Sequence, residues 1–145
     1  MKYGPYFLDE SGYVISISTK PRELWNFSET SIQNNDFYEI TISTNGFIPI
    51  AYMVISYKTL EELFYKSMSL ISGSTTVFGL TLPRYSLSEI TTVMFYREPS
   101  SVLISITNTN IIGDKSEVSI ILTPNDAATF INGLMKVYLE GSGLK

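Results

Sequence analysis

The sequence predicts an α+β fold of two tandem ββββα units, each an antiparallel sheet closed by a helix and related by a pseudo-twofold axis. Residues 55–71 match residues 122–138 without a gap, and equivalent helix positions are 67 residues apart (131 − 64 = 67). The sequence has eight β-type runs, and four of them precede each helix. Each helix follows a Ser or Thr cap. A duplicated unit of this kind predicts one domain, residues 1–145, made of repeats 1–73 and 74–145.

Three strands are predicted before the first hairpin turn. Lys2–Leu8 is a short aromatic-rich run that is closed by a turn at residues 9–12. Tyr13–Thr19 and Phe37–Thr44 both alternate apolar and polar side chains, which is the period of a half-buried strand. The polar, irregular stretch between them, residues 21–36, is predicted to be a loop.

The first hairpin and helix follow. Asn45-Gly46 predicts a type I′ turn, because both residues tolerate a positive φ. Phe47–Ser56 is apolar on both faces, as expected of a central or interface strand, although Pro49 warns of an edge or a bulge. Lys58–Ser72 carries apolar residues at helical spacing and is predicted to end at Gly73.

The second unit repeats this plan. Four strands are predicted, separated by turn-rich segments: Thr75–Leu82, Glu89–Arg97, Ser101–Thr109 and Glu117–Thr123. The last helix is predicted at about residues 125–140, with Thr123 as its N-cap, Pro124 in its first turn and Gly141 at its end.

The composition excludes several classes of protein. A formal net charge of −4 and a pI of about 4.8 argue against a histone-like or polybasic nucleic-acid binder. The chain has no cysteine and no histidine, which removes thiolate zinc sites and the Ser-His-Asp triad. Only 17% of the residues are charged, which favours a homo-oligomer. No apolar run is long enough to span a membrane, so we expect a cytoplasmic protein of archaeal or viral origin, in the host cytoplasm if viral.

Aromatic residues beside basic ones are the candidates for nucleic-acid contact. Sequence-tolerant binding of a single strand needs aromatic faces for the bases and positive charges for the phosphates. The candidates are Lys20, Arg22 and Trp25 (with Phe27), Arg84 with Tyr85, Tyr96 with Arg97, and the loop residue Lys115. The alternative is that these are ordinary solvated strand ends, with tyrosines covering the sheet edges.

No catalytic or metal-binding motif is present. Gly141-Ser142-Gly143 follows a helix, whereas a nucleophile elbow follows a strand, and Gly73-Ser74 lacks the lysine of a Walker motif. The paired carboxylates Asp9/Glu10, Glu61/Glu62 and Asp114/Glu117 lack the spacing of a known cation loop. We therefore predict a non-enzymatic protein without a cofactor or a metal ion.

The layout resembles that of the Whirly family of single-stranded-DNA-binding proteins and of the wider superfamily that includes the kinetoplastid guide-RNA-binding proteins. The segment that looks most similar is Ser100–Tyr138, SSVLISITNTNIIGDKSEVSIILTPNDAATFINGLMKVY, a hairpin followed by a threonine-capped helix. The Lys-Gly-Lys-Ala-Ala-Leu strand motif of the Whirly proteins has no counterpart, since Gly12-Tyr13-Val14-Ile15 stands in the comparable place.

The resemblance implies that single-stranded DNA or RNA runs across strand faces and edges, with little sequence specificity. A second hypothesis is a structural or interaction protein, possibly viral, that uses the duplicated fold for assembly; the acidic balance and the sparse charge favour it. A small hydrolase that uses carboxylates is the third, and no specific feature favours it.

Overall fold

The fold consists of two four-stranded antiparallel sheets, each followed by a helix. A computed structural model describes residues 2–21, 36–82, 89–110 and 112–141. The strands pair in sequence order, β1-β2-β3-β4 in the first sheet and β5-β6-β7-β8 in the second. The predicted α+β class and its duplicated ββββα layout are thereby confirmed. The bounds are β1 Lys2–Leu8, β2 Tyr13–Pro21, β3 Asp36–Thr44, β4 Pro49–Ser56, α1 Tyr57–Ser72, β5 Val77–Thr81, β6 Glu89–Glu98, β7 Ser101–Asn110, β8 Lys115–Leu122 and α2 Pro124–Gly141.

The alternation of apolar and polar residues decides which face of the first sheet is buried. Ile15 and Ile17 of β2 lie opposite Ile42 and Ile40 of β3, and all four side chains are buried. Because successive side chains of a strand point to opposite faces, these isoleucines form one apolar face. That face packs toward the helices.

The second sheet follows the same rule. The paired residues Phe95 and Ile104 are buried, as are Val93 and Ile106 two positions further along. The rings of Phe78 and Phe95 stack on neighbouring strands, with their centroids 4.5 Å apart. The β-branched and aromatic side chains therefore build a second apolar face.

Both helices lie between the two apolar faces. Helix α1 contacts β3 and β4 of the first sheet and β5 and β6 of the second, while α2 contacts β1, β7 and β8. The helices also contact each other, and the buried side chains of both repeats belong to one hydrophobic core. The equivalent positions Leu60/Ala127 and Leu63/Phe130 are all buried, as the 67-residue offset predicts, whereas Ile131 is half-buried and its equivalent Phe64 is buried.

Each helix begins at a hydroxyl cap. Ser56 Oγ accepts a hydrogen bond from the Thr59 backbone N–H (3.2 Å), and Thr123 Oγ1 accepts one from the Asp126 N–H (3.2 Å). These bonds satisfy amide groups that have no partner within the first turn. The predicted caps are confirmed, and so is the end of α1, since Gly73 there has φ 87°.

The turn between β1 and β2 ties the first repeat to the second helix. The backbone N–H of Ser11 donates to the buried carboxylate of Asp126 (2.7 Å), and Ser11 Oγ accepts from the Thr123 N–H (3.0 Å). Glu10 accepts from the Thr123 hydroxyl (2.6 Å). The first turn of α2 is therefore held by residues more than a hundred positions earlier in the chain.

The predicted type of the first hairpin turn is wrong. The Phe47 N–H donates to Thr44 O (2.8 Å), and Phe47 has φ 61°, whereas neither Asn45 nor Gly46 has a positive φ. The loop is thus a three-residue turn with a left-handed last residue and not a type I′ turn. Strand β4, which we expected to be a central or interface strand, is not central but an edge strand, and its pairing shifts between Ile42 and Ser43, which confirms the edge or bulge that Pro49 indicates.

Candidate nucleic-acid interface

The outer face of the second sheet is the face turned away from the helices. One row across it consists of Val77, Tyr96, Leu103 and Ile121, which are paired in that order on the four strands. Tyr96 and Leu103 are half-buried, whereas Val77 and Ile121 are 45% and 59% exposed. Among the described residues no helix packs on this face, so the row forms an open strip of apolar and aromatic surface.

Gly79 shapes the neighbouring row. A Cβ atom there would meet the thioether sulfur of Met94 on the paired strand. Only glycine therefore lets the Met94 side chain lie across β5. The sulfur and its methyl group extend the apolar strip beside Tyr96.

The remainder of this face carries hydroxyl groups and few charges. Strand alternation places on it the side chains of Thr81, Thr92, Ser105, Thr107, Thr109 and Ser119. Glu117 and Lys115 are exposed on the same face of β8. The hydroxyl of Ser105 donates to Glu117 (3.0 Å), which keeps that carboxylate close to the sheet. The face thus offers an aromatic ring, hydroxyl groups, one lysine and the carboxylate of Glu117.

The structure brings together only part of the residue set predicted from the sequence. Tyr96 and Lys115 share the outer face of the second sheet. Arg97 points to the inner side, where its guanidinium donates to the backbone oxygens of Leu70 and Ile71 at the end of α1. For Lys20 only the backbone is described, at the end of β2. The predicted residues Arg22, Trp25 (with Phe27), Arg84 and Tyr85 lie outside the described residues.

A second cluster, which the sequence did not predict, lies where the start of α1 meets the end of α2. The rings of Tyr57 and Tyr138 stack with their centroids 5.7 Å apart, and the ring of Tyr65 stands nearly perpendicular to Tyr138 (75°) at the same distance. Phe64 packs beneath them, 5.4 Å from Tyr138. The Tyr138 hydroxyl donates to Glu61 Oε2 (2.9 Å). We call Tyr57, Glu61, Phe64, Tyr65 and Tyr138 the helix-junction cluster.

Hydrogen bonding changes the chemistry of this cluster. The hydrogen bond with Tyr65 raises the pKa of Tyr138, and the bond to Glu61 raises it further. A phenol that donates to a carboxylate keeps its proton, because the anion would face another negative charge. Tyr138 therefore keeps its proton to a higher pH than a free tyrosine does.

Within the described ranges no group of three or more acidic side chains could hold a metal ion. No helix found there has the length and the apolar character needed to cross a membrane.

Comparison with known proteins identifies no family for this chain. No protein-family model matches the chain, and no curated protein matches its sequence.

Proposed function

We propose that this chain binds single-stranded DNA or RNA, with little sequence preference, across the outer face of its second sheet. The observation that carries the proposal is the placement of Tyr96 and Lys115 on one open face, on the side opposite the helices. An aromatic ring can stack on any base, and a lysine can neutralise a phosphate. The Whirly-like layout expected from the sequence supports the same kind of ligand and the same location.

The chemistry of the face predicts weak binding with a shallow dependence on salt concentration. Tyr96 lies between Met94 and Leu103, two positions along its own strand and directly opposite on the next. A base stacked on Tyr96 would contact these apolar side chains. The hydroxyl groups further along the face can donate to phosphate or base oxygens. Glu117 beside Lys115 limits the local positive charge. The affinity is therefore expected to be modest and to fall only gradually as salt rises, because few phosphate contacts release few counterions.

The test is a fluorescence-anisotropy titration with labelled single-stranded and duplex oligonucleotides at two salt concentrations. We expect single strands to bind in preference to duplex. Tyr96→Ala should weaken binding by about 1–3 kcal/mol, the usual worth of one stacked base. Lys115→Ala should weaken it less and flatten its salt dependence. Lys136→Ala, an exposed lysine on α2, is the control and should bind as the parent does.

Two outcomes would contradict this function. One is the absence of binding to any oligonucleotide at low salt. The other is equal binding of duplex and single strand, since a stacking platform needs unpaired bases.

A second candidate function is that of a homo-oligomeric structural or interaction protein, which we had considered from the sequence. Large apolar side chains are exposed at the first hairpin and at the neighbouring end of β1. Phe47, Ile48 and Phe7 are 58%, 65% and 51% exposed, and the two phenylalanine rings meet edge to face. Light scattering that gives a mass well above 16.3 kDa at micromolar concentration would favour this function, and a mass near 16.3 kDa would contradict it.

A further inference from the structure

We propose that the helix-junction cluster binds a guanidinium group, presented by an arginine side chain of a partner protein. The exposed part of the site is the angle between the rings of Tyr65 and Tyr138, with the carboxylate of Glu61 beside it. This site lies on the helices and is independent of the outer sheet face discussed above.

The duplicated fold supplies the reason to assign a function to this cluster. The positions 67 residues away from its members are Ile71, Pro124, Ala128, Ile131 and Asn132. At the other end of the antiparallel helix pair, Ile71 and Ile131 both line a small cavity of about 10 Å³. The same junction is thus built there without a tyrosine or a carboxylate. Tyr57 has a structural role, since its hydroxyl donates to Tyr138 O, but packing at the second junction needs no counterpart of the Tyr65 ring or the Glu61 carboxylate, so these two groups serve another purpose.

The exposure of the rings shows what remains available to a ligand. Tyr65 is 53% exposed, although its ring contacts both Phe64 and Tyr138. Tyr57 and Tyr138 are half-buried and Phe64 is buried. The rings of Phe64 and Tyr57 therefore hold Tyr65 and Tyr138 at a fixed angle, and a solvent-facing surface of each stays open.

The chemistry of that surface favours a cation. The face of an aromatic ring is electron-rich and attracts a cation that lies over it. Tyr138 uses one oxygen of Glu61, and an ionised carboxylate has room for further donors. On α1 the ion pair formed by Lys66 is with Glu62 (2.9 Å), so this lysine does not neutralise Glu61. Two rings and a carboxylate together match a group that is both planar and positively charged.

Guanidinium fits this site better than a simple ammonium ion. Its flat face stacks on an aromatic ring while its edge donates hydrogen bonds to a carboxylate. Ammonium is a compact and strongly hydrated charge that cannot do both in a fixed geometry. The net charge of −4 also attracts a basic partner from a distance.

The experiment is an NMR titration of the ¹⁵N-labelled full chain with the peptide acetyl-Gly-Arg-Gly-amide. We expect saturable shifts of the amide signals of residues 61, 65 and 138. Tyr65→Ala and Glu61→Gln should each weaken binding about two- to fivefold, the range expected for a contact of this kind at an exposed site. Tyr65→Phe keeps the ring and should bind nearly as the parent does. The matched control is Asn132→Ala, at the equivalent exposed position of α2, which should leave binding unchanged.

The controls distinguish this proposal from weaker alternatives. The peptide with lysine in place of arginine should bind more weakly, and equal binding would overturn the assignment to guanidinium. Binding that is unchanged in both Tyr65→Ala and Glu61→Gln would overturn the site itself. Circular dichroism should show that the variants keep the parent fold, since Tyr65 is exposed. None of these outcomes depends on whether oligonucleotides bind to the second sheet.

Discussion

The two repeats share their elements but differ in how each helix end is held. At the end of α1 the partner is Arg97 of the second sheet, whose guanidinium reaches Leu70 O and Ile71 O. At the end of α2 the partner is Tyr57 of the first helix, whose hydroxyl donates to Tyr138 O (3.3 Å). In both cases the group that satisfies the last turn comes from the other repeat. The duplicated pattern therefore describes the core, whereas the contacts that differ between the halves join them into one structure.

The repeats also differ inside the core, at one equivalent pair of helix positions. Leu134 of α2 is fully buried, and the position 67 residues earlier is Ser67, which is also buried. The Ser67 hydroxyl has no hydrogen-bond partner among the described residues, and it borders the small cavity between the helices and the second sheet. The second repeat thus has apolar packing where the first has an unsatisfied polar group.

The largest predicted effect tests this pair. Leu134→Ala should lower the free energy of unfolding by about 2–5 kcal/mol, because it removes apolar contacts and leaves a cavity. Ser67→Ala should raise it by roughly 1 kcal/mol, because it removes a buried hydroxyl that lacks a partner. Urea denaturation of the two variants and the parent checks both values. A loss of stability in Ser67→Ala would mean that the hydroxyl is hydrogen-bonded in solution.

The next effect concerns the end of α1. Arg97→Ala should destabilise the fold by about 1–3 kcal/mol, since carbonyl groups of the last turn lose a charged donor. Arg97→Lys keeps the charge but loses the forked donor and should recover only part of the stability. Thermal melts of the three proteins would show this order. If Arg97→Ala melts like the parent, then the guanidinium contributes nothing at the helix end and is free for other contacts.

The sequence predicted the parts of the fold that depend on local periodicity. Ile15, Ile17, Ile40 and Ile42 alternate with polar residues, which is sufficient to define strands and their buried face. The role of Arg97 could not be predicted, because its acceptors are 26 and 27 positions away and belong to another element. The Asn45-Gly46 signal failed because a three-residue loop with Phe47 in the left-handed region competes with the two-residue turn.

The candidate sites also depend on contacts that local periodicity does not predict. Tyr96 was predicted as a binding residue from its neighbour Arg97, yet strand alternation places these two side chains on opposite faces. The helix-junction cluster joins Tyr65 to Tyr138, 73 positions apart (138 − 65 = 73). The offset between the repeats was the signal that could have identified this cluster. It pairs the tyrosines and the glutamate of one junction with aliphatic residues and an asparagine at the other.

Alkaline pH should also distinguish strand β1 of the first repeat from its counterpart β5 in the second. Burial raises the pKa of Tyr3 and Tyr6 on β1, and Glu140 raises both further. The unfolded chain releases these protons near the usual value of 10.0, whereas the folded protein retains them. Their contribution to stability is therefore complete below about pH 10 and is lost as pH rises through the folded-state pKa. The core-facing residues of β5, Phe78 and Leu80, do not titrate.

Urea midpoints measured between about pH 8 and pH 11 would test this expectation. The parent should lose stability toward the upper end, and Tyr3→Phe should lose less. An identical pH profile for the two proteins would mean that Tyr3 titrates equally in the folded and unfolded states.

The smallest predicted effect compares the two hairpin turns. Phe47 (φ 61°) lies two residues before β4, and Gly113 (φ 89°) lies two residues before β8, so both turns need a left-handed residue at the same place. Phe47→Gly removes the strain of that conformation but also removes the contact with Phe7 and loosens the unfolded chain. Because these terms oppose one another, the stability should change by about 0.5 kcal/mol or less. The Cβ of Gly113→Ala meets no atom of the described residues, so this substitution should cost about 1 kcal/mol from backbone strain alone. Urea denaturation would measure both, and a large loss in Phe47→Gly would show that the edge-to-face contact with Phe7 outweighs the strain that it requires.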